Sequence, residues 1–363
     1  MANQSLAVKY RPTYFYSLTE QSAIKEILEN QVKTKTFQHG YLFTGPAGTG
    51  KTTSARIFAN MINDGKGNPI EVDAASNSGV DNIRQIIEDA KRKPLDAEYK
   101  IFIVDECHSL SNGAWQALLK TLEEPPKFTI FIFCTTDPQK IPNTILSRVQ
   151  RYNFQKISNE GIVKRLNGII AEENREMIEA AGGSQDAIND IEWAKHEDID
   201  CIDCDEDALE YIAKVSSGGM RDAITLLDKC LSLSHDVTLE NVLKTIGGED
   251  YTTFITFLSA LEGKVKVSAV RIIENVYNAG KDVKQFMKDF AKFVLEVEKY
   301  ALYKNFDYIN LPNTLENELE QLIDDTLFDI MDFVVSLNNW IKWENDPKTL
   351  IELSILIYCG KDD

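Results

Sequence analysis

The stretch Gly40-Tyr41-Leu42-Phe43-Thr44-Gly45-Pro46-Ala47-Gly48-Thr49-Gly50-Lys51-Thr52-Thr53 decides how the rest of the chain is read. Tyr41, Leu42 and Phe43 are an apolar run of strand type, a glycine-punctuated loop follows, and a helical pattern runs from Thr52 to about Met61. Residues 45–52 fit the pattern G-x-x-x-x-G-K-[ST] in its required context of strand, loop and helix. Backbone N–H groups that turn toward phosphate oxygens need φ values that a Cβ obstructs, which is what Gly45, Gly48 and Gly50 supply. The helix beginning near Lys51 adds unpaired N–H donors and the positive end of its dipole. In this reading Lys51 meets the β- and γ-phosphates of a nucleotide, Thr52 offers its hydroxyl to Mg²⁺, and Thr49 and Thr53 complete the cradle. The alternative is an ordinary glycine-rich turn.

Downstream, strands and helices alternate. Ile70–Asp73 is a short strand, 80–91 a helix, and 99–106 an apolar strand that ends in Asp105-Glu106. Asp105, at the carboxyl end of a buried strand and facing the phosphate loop, can hold Mg²⁺ together with Thr52. Glu106, one residue on, points elsewhere and can orient and deprotonate an attacking water. An acidic pair closing a strand is common; behind a phosphate loop at this interval it favours ATP hydrolysis over mere binding. Residues 112–122 read as a helix whose Trp115, Leu118, Leu119 and Leu122 make a core face. Residues 128–133 and 149–154 read as further strands, with a short helical segment at 141–148 between them. The pattern predicts a five-stranded parallel α/β sheet with its ligand at the carboxyl ends of the strands. Upstream, 21–32 carries an amphipathic helix pattern.

From Ser158 onward strand signals vanish, and the rest reads as helical, including 220–233 behind Gly218-Gly219 and long patterns over 286–302 and 315–337. This divides the chain into a nucleotide-binding domain (1–156), a small helical domain (157–235) with an acidic insert at about 179–207, and an all-α domain (236–363). A length of 363 residues suits two or three such domains. No apolar run is long enough to span a membrane, and the start carries no secretory pattern. Six scattered cysteines without a framework then point to a reducing cytoplasm. The net charge of −18 argues against broad, non-specific DNA affinity, although it constrains only the average.

Lys9-Tyr10-Arg11-Pro12, residues 45–52, Asp73-Ala74-Ala75-Ser76-Asn77, Asp105-Glu106-Cys107-His108, residues 117–126, 135–142 and 145–148, and Gly219-Met220-Arg221-Asp222-Ala223 together resemble a known family. It is the ATPase subunit of the bacterial DNA polymerase III clamp loader, of gamma/tau type, within the AAA+ superfamily. The likeness covers most of residues 5–235 and is looser beyond. It implies ATP and Mg²⁺ as cofactors, a helical lid at 157–235, and an oligomerisation collar at 236–363. Tyr10, Arg11 and Pro12 would fold over the nucleotide base, although by themselves they read as a surface turn. Thr136 would be the polar sensor beside the attacking water or γ-phosphate. Arg221 would contact phosphate in its own subunit, and Arg148 would be an arginine finger reaching ATP held by a neighbour. A planar, permanently charged guanidinium suits charge spread over a transferring phosphoryl group. Without the motif, either arginine would read as a surface salt bridge. Arg84 and Lys120 are candidates for DNA contact, on helices that routinely carry such residues, and His108 is expected to be a structural or coupling residue.

Three departures stand out. The family's four-cysteine zinc module is replaced here by residues 60–69, which hold no cysteine, so no zinc is expected there. Ser147-Arg148 is followed by Val149 where the family has cysteine, and the acidic insert is extra. Within that insert Cys201-Ile202-Asp203-Cys204 lacks a second ligand pair and reads as a solvated loop with incidental cysteines. The resemblance implies a motor subunit of a pentameric ring that loads a sliding clamp onto primer–template DNA, in a bacterial or phage-infected cell. A catalytically silent scaffold subunit and another AAA+ ATPase of DNA metabolism, such as a branch-migration helicase, are the alternatives. The chain ends directly after the collar, so the long polymerase-binding tail of tau-type proteins is not expected.

Overall fold

The computed structural model describes residues 4–182, 201–246, 251–306, 309–312, 315–323 and 326–360. Most of the acidic insert, 183–200, lies outside the described residues. The chain forms two compact units, one of residues 1–202 with 212–229, the other of 203–211 with 230–363.

The first unit is built on five parallel strands: β1 (Gly40–Thr44), β2 (Ile70–Asp73), β3 (Lys100–Asp105), β4 (Thr129–Thr135) and β5 (Gln150–Asn153), in the order β2-β3-β4-β1-β5. Helices α1 (Leu6–Lys9) and α2 (Ser22–Thr34) precede β1. Then α3 (Lys51–Ile62), α4 (Val80–Ala90), α5 (Asn112–Glu123) and α6 (Asn143–Leu146) connect successive strands. The period of two along each strand sorts its side chains between two cores. Tyr41, Phe43, Ile101, Ile103, Ile130 and Ile132 face α2 and α3, where Phe58 and Leu28 are fully buried. Leu42, Phe102, Val104, Phe131 and Phe133 face the other way, against Ile83 of α4 and Trp115 and Leu118 of α5. Covered on both sides, β1 and β4 are buried at every residue, which is why they read as continuous apolar runs rather than alternating ones. The expected five-stranded parallel sheet is therefore present. β1, interior to the sheet between β4 and β5, places the loop after it among the carboxyl ends of the strands.

Helix α7 (Asn159–Ala180) continues the first unit, its start capped by Ser158 accepting from the Gly161 N–H. Helix α8 (Glu206–Val215) follows, and α9 (Met220–Leu231) belongs to the first unit for all but its last two residues. In the second unit, β6 (Asp203–Cys204) and β7 (Asp236–Val237) pair in parallel. This corrects the expectation of an all-helical remainder: two residues per strand are too few to leave an alternating signal. Its helices are α10 (Leu239–Ile246), α11 (Tyr251–Glu262), α12 (Lys266–Asn278), α13 (Val283–Tyr303), α14 (Glu316–Gln321), α15 (Leu327–Ile341) and α16 (Pro347–Tyr358). The single helical pattern expected over 315–337 is two helices. The periodicity runs through because Leu319, Leu322, Leu327, Ile330, Val334 and Leu337 all pack on one core. Phe254, Phe257, Phe286, Phe290 and Phe293 centre that core, with Phe257 and Phe290 edge to face at 4.6 Å between ring centroids. Among the described residues no helix is long and apolar enough to cross a membrane.

Candidate functional site

The loop between β1 and α3 takes its shape from two glycines. Gly45 has φ +144°, and a Cβ there would lie 2.3 Å from the Phe154 carbonyl oxygen. Gly48 has φ +71°, and a Cβ there would lie 2.8 Å from Gly219 Cα. The second contact is close because the start of α9 sits on the loop, the Met220 N–H donating to the Gly48 carbonyl at 3.0 Å. Gly50, at φ +97°, precedes the first residue of α3. The Thr49 hydroxyl donates to the Pro46 carbonyl at 2.9 Å and braces the turn.

Lys51 is buried, 6% exposed, and its ammonium donates to the carbonyls of Gly45 (2.9 Å) and Pro46 (2.7 Å). Burial lowers its pKa from the ordinary 10.5, against the opposing pull of Cys134, Glu106 and Asp105. Thr52 donates its hydroxyl to Asp105 Oδ2 at 2.8 Å, and the other Asp105 oxygen accepts the Glu106 N–H at 3.0 Å. Glu106 stands in the left-handed region, φ +46°, which re-aims its side chain away from that of Asp105. Its Oε2 accepts from the Thr136 hydroxyl at 3.2 Å and lies 3.3 Å from His108 Nδ1. His108 also meets Thr135 Oγ1 at 3.1 Å, so it bridges the ends of β3 and β4.

Lys51, Thr52, Asp105 and Glu106 border a cavity of about 310 Å³, while Thr136 and His108 do not line it and meet it only through Glu106. One side is the loop and the start of α3, with Gly48, Thr49, Gly50, Lys51, Thr52 and Thr53; Asp105 and Glu106 stand beside it. Tyr10, Arg11 and Pro12 form another side, and Arg221 with Met220 closes a third. Sequence reasoning missed Arg165 of α7, which lines the same cavity, and the apolar wall of Leu18, Ile157 and Ile224. Arg165 sits one helical turn past Ile162 in an amphipathic pattern and carries no motif of its own, so it left no signal.

Other expected residues lie elsewhere. Arg148 does not border the cavity. Its guanidinium is bound to Glu123 Oε1 at 2.6 Å, the Thr144 carbonyl at 2.5 Å and Ser147 Oγ at 3.0 Å. Arg84 pairs with Asp81 on the exposed face of α4 at 3.1 Å, and Lys120 is exposed on α5. Residues 201–204 correct the solvated-loop expectation. Ile202 is buried, with its N–H given to Asn174 Oδ1 at 2.7 Å and its carbonyl receiving Asn174 Nδ2 at 2.8 Å. Cys204 lies in β6, where burial, followed by the charges of Asp203 and its neighbours, pushes the thiol up to about 12.

Two family models match the chain. The one described as DNA polymerase III, delta subunit, matches residues 70–158, and the one described as DNA polymerase III clamp loader subunit, ATPase lid domain, matches residues 197–236. The chain is 33% identical to DNA polymerase III subunit tau of Bacillus subtilis over 99% of this chain and 64% of that protein. It is 32% identical to the gamma/tau subunit of Mycoplasma genitalium over 83% of this chain and 50% of that protein. It is 29% identical to the gamma subunit of Buchnera aphidicola of Acyrthosiphon pisum, over 82% of this chain and 81% of that protein. The chain thus spans less than two thirds of the length of the first two relatives.

Proposed function

We propose, from the premise that this chain belongs to the gamma/tau family of DNA polymerase III clamp-loader subunits, that it is an ATP-hydrolysing AAA+ motor subunit of a sliding-clamp loader. In this reading residues 1–156 bind nucleotide, 157–235 are the lid, and 236–363 are the collar that joins it to other subunits. The residues present suit a nucleoside triphosphate. Two loop glycines leave no room for a Cβ, and a buried ammonium is held by two loop carbonyls, with the charges of Glu106 and Asp105 favouring it. Thr52 and Asp105 are the hard oxygen donors that would hold Mg²⁺, which supplies charge neutralisation on the phosphates.

Hydrolysis needs a water aligned with the γ-phosphorus and a base to take its proton. Glu106 accepts that proton as the water oxygen bonds to phosphorus and the bond to the ADP oxygen breaks. Thr136 fixes one oxygen of the Glu106 carboxylate, so the other is the one free to face water. Lys51 and Arg221 stabilise charge on the phosphates within the subunit, and Tyr10, Arg11 and Pro12 hold the base. Arg148 of a neighbouring subunit supplies the remaining positive charge, so turnover belongs to the assembly. ATP binding orders the subunits to open the clamp and embrace primer–template DNA through its backbone, with Arg84 and Lys120 among the contacts. Hydrolysis then releases the loaded clamp. The setting is the cytoplasm of a bacterial or phage-infected cell.

The observation that carries the reading is the convergence of Lys51, Thr52, Asp105 and Glu106 on one cavity that Arg221 also borders. The test is the ATPase rate with and without cognate clamp and primed DNA, for wild type and Arg148→Ala in the assembled complex. A clamp loader is stimulated by both ligands together and loses most of that rate with Arg148 removed. Negligible turnover would leave a scaffold; turnover that ignores the clamp but moves strands would leave a helicase.

A further inference from the structure

The segment before α2 is attached at its two ends to different parts of the first unit. Its middle is anchored in the sheet core, where Phe15 is 2% exposed and packs among the side chains facing α2 and α3. Its first limb, residues 6–12, makes its long-range polar contacts with helices α7 and α9. The Leu6 N–H donates to Asp228 Oδ2 at 3.1 Å. Lys9 reaches Glu173 at 2.7 Å and Glu176 at 2.5 Å, both on α7. Arg165, also on α7, donates to the Tyr10 carbonyl at 3.0 Å. Between those fastenings the Tyr10 ring is buried under the Lys9 ammonium, 5.2 Å from ring centroid to Nζ. Glu173 is the less exposed of the two acids, at 16% against 58%, so its pairing with Lys9 is the less screened.

The other end of the segment reaches the backbone where the sheet hands over to α7. Gln21 bonds Gln155 in both directions, donating to its carbonyl at 2.7 Å and accepting its N–H at 3.2 Å. Glu20 accepts the Ser158 N–H at 3.1 Å. Both residues hold left-handed backbones, φ +54° and +56°, a conformation that costs a non-glycine residue and needs such bonds to persist.

We infer that residues 6–12 move with the lid rather than with the sheet, and that Lys9, acting through Glu173 and Glu176, is a positioning residue. Through it, a base held by Tyr10–Pro12 fixes where the lid stands. The inference rests on the cavity taking ATP. It makes base recognition and lid closure one event: a ligand with a base engages the limb that is fastened to the lid, whereas a bare triphosphate meets the loop and Arg221 and leaves the limb unengaged. Lys9 itself does not border the cavity, so its effect on binding must pass through the limb.

The test measures binding of Mg²⁺-ATP and of Mg²⁺-tripolyphosphate to the full chain, for wild type, Lys9→Glu, Glu173→Lys and the double swap. Lys9→Glu should weaken ATP by about tenfold, within the usual range of coupling between linked sites, and leave tripolyphosphate nearly unchanged. The double swap should recover ATP binding. Lys9→Met, which removes the charge without adding a repulsion, should show the same selective loss at smaller size and carries the test if Lys9→Glu fails to fold. Equal weakening of both ligands, unchanged ATP binding in the Lys9 variants, or no recovery in the double swap would overturn the inference. A wild-type chain that binds neither ligand would instead overturn the nucleotide reading on which it rests.

Discussion

Thr136 donates its hydroxyl to Glu106 Oε2 across 3.2 Å, and His108 Nδ1 stands 3.3 Å from the same oxygen. One carboxylate oxygen is thus held from two sides. Glu106→Gln keeps the shape but cannot take a proton, so kcat should fall by about 10²–10⁴-fold with ATP affinity retained. Thr136→Ala leaves the base intact but loosens it and should cost less. Single-turnover hydrolysis beside equilibrium ATP binding separates these outcomes.

Arg148 is committed to Glu123 and to the Thr144 carbonyl in the isolated chain. The pair is partly exposed, so its loss should cost at most about 1 kcal/mol of stability. Arg148→Ala is therefore expected to melt close to wild type and to leave the slow turnover of the lone chain unchanged. In the assembly the same change should remove about 10³–10⁵ of the rate. Thermal melts with ATPase rates in both states check this, and equal losses in both would refute action in trans.

Lys51 gives a pH dependence whose sign can be worked out. Burial lowers its pKa below 10.5, so between the folded value and 10.5 the unfolded chain binds more protons than the native one. Stability from this group therefore rises with pH through that window. Nucleotide affinity runs the other way, because the ammonium must be charged to attract phosphate. ATP binding should weaken as pH rises toward 10.5, and Lys51→Met should bind weakly with that dependence gone. Titration calorimetry at a series of pH values for both proteins is the measurement.

How much of this was legible depended on whether a residue's role is local. The loop after β1 and the pair Asp105-Glu106 were readable because strand, glycines and carboxylates follow one another in the chain. The five strands were readable because burial on both faces leaves apolar runs. What the sequence hid were pairings across long separations: Arg165 with Tyr10, Lys9 with Glu173, and β6 with β7. The left-handed Glu20, Gln21 and Glu106 were also hidden, since no glycine marks them. Their conformations are held by contacts made far along the chain.

Asn174 is the case where a signal existed. It occupies the apolar face of α7, one turn after Ile170 and one before Ile178, and it is 3% exposed. A polar residue at a core position of a helix requires a partner, and asparagine is a poor helix former there. The partner is the Ile202 backbone, whose N–H donates to this one amide and whose carbonyl accepts from it. Asn174→Ala would strand both groups in a buried place at about 1–3 kcal/mol each, for a total of about 2–4 kcal/mol after partial relaxation. Asn174→Asp can accept from the N–H but cannot donate to the carbonyl, and it adds a buried charge, so it should be no better. Urea unfolding should show a lower midpoint at unchanged slope for both variants. ATP affinity should hold under native conditions, because neither Asn174 nor Ile202 borders the cavity. A midpoint within error of wild type for Asn174→Ala would mean that water replaces the amide and that residues 201–204 are not held by it.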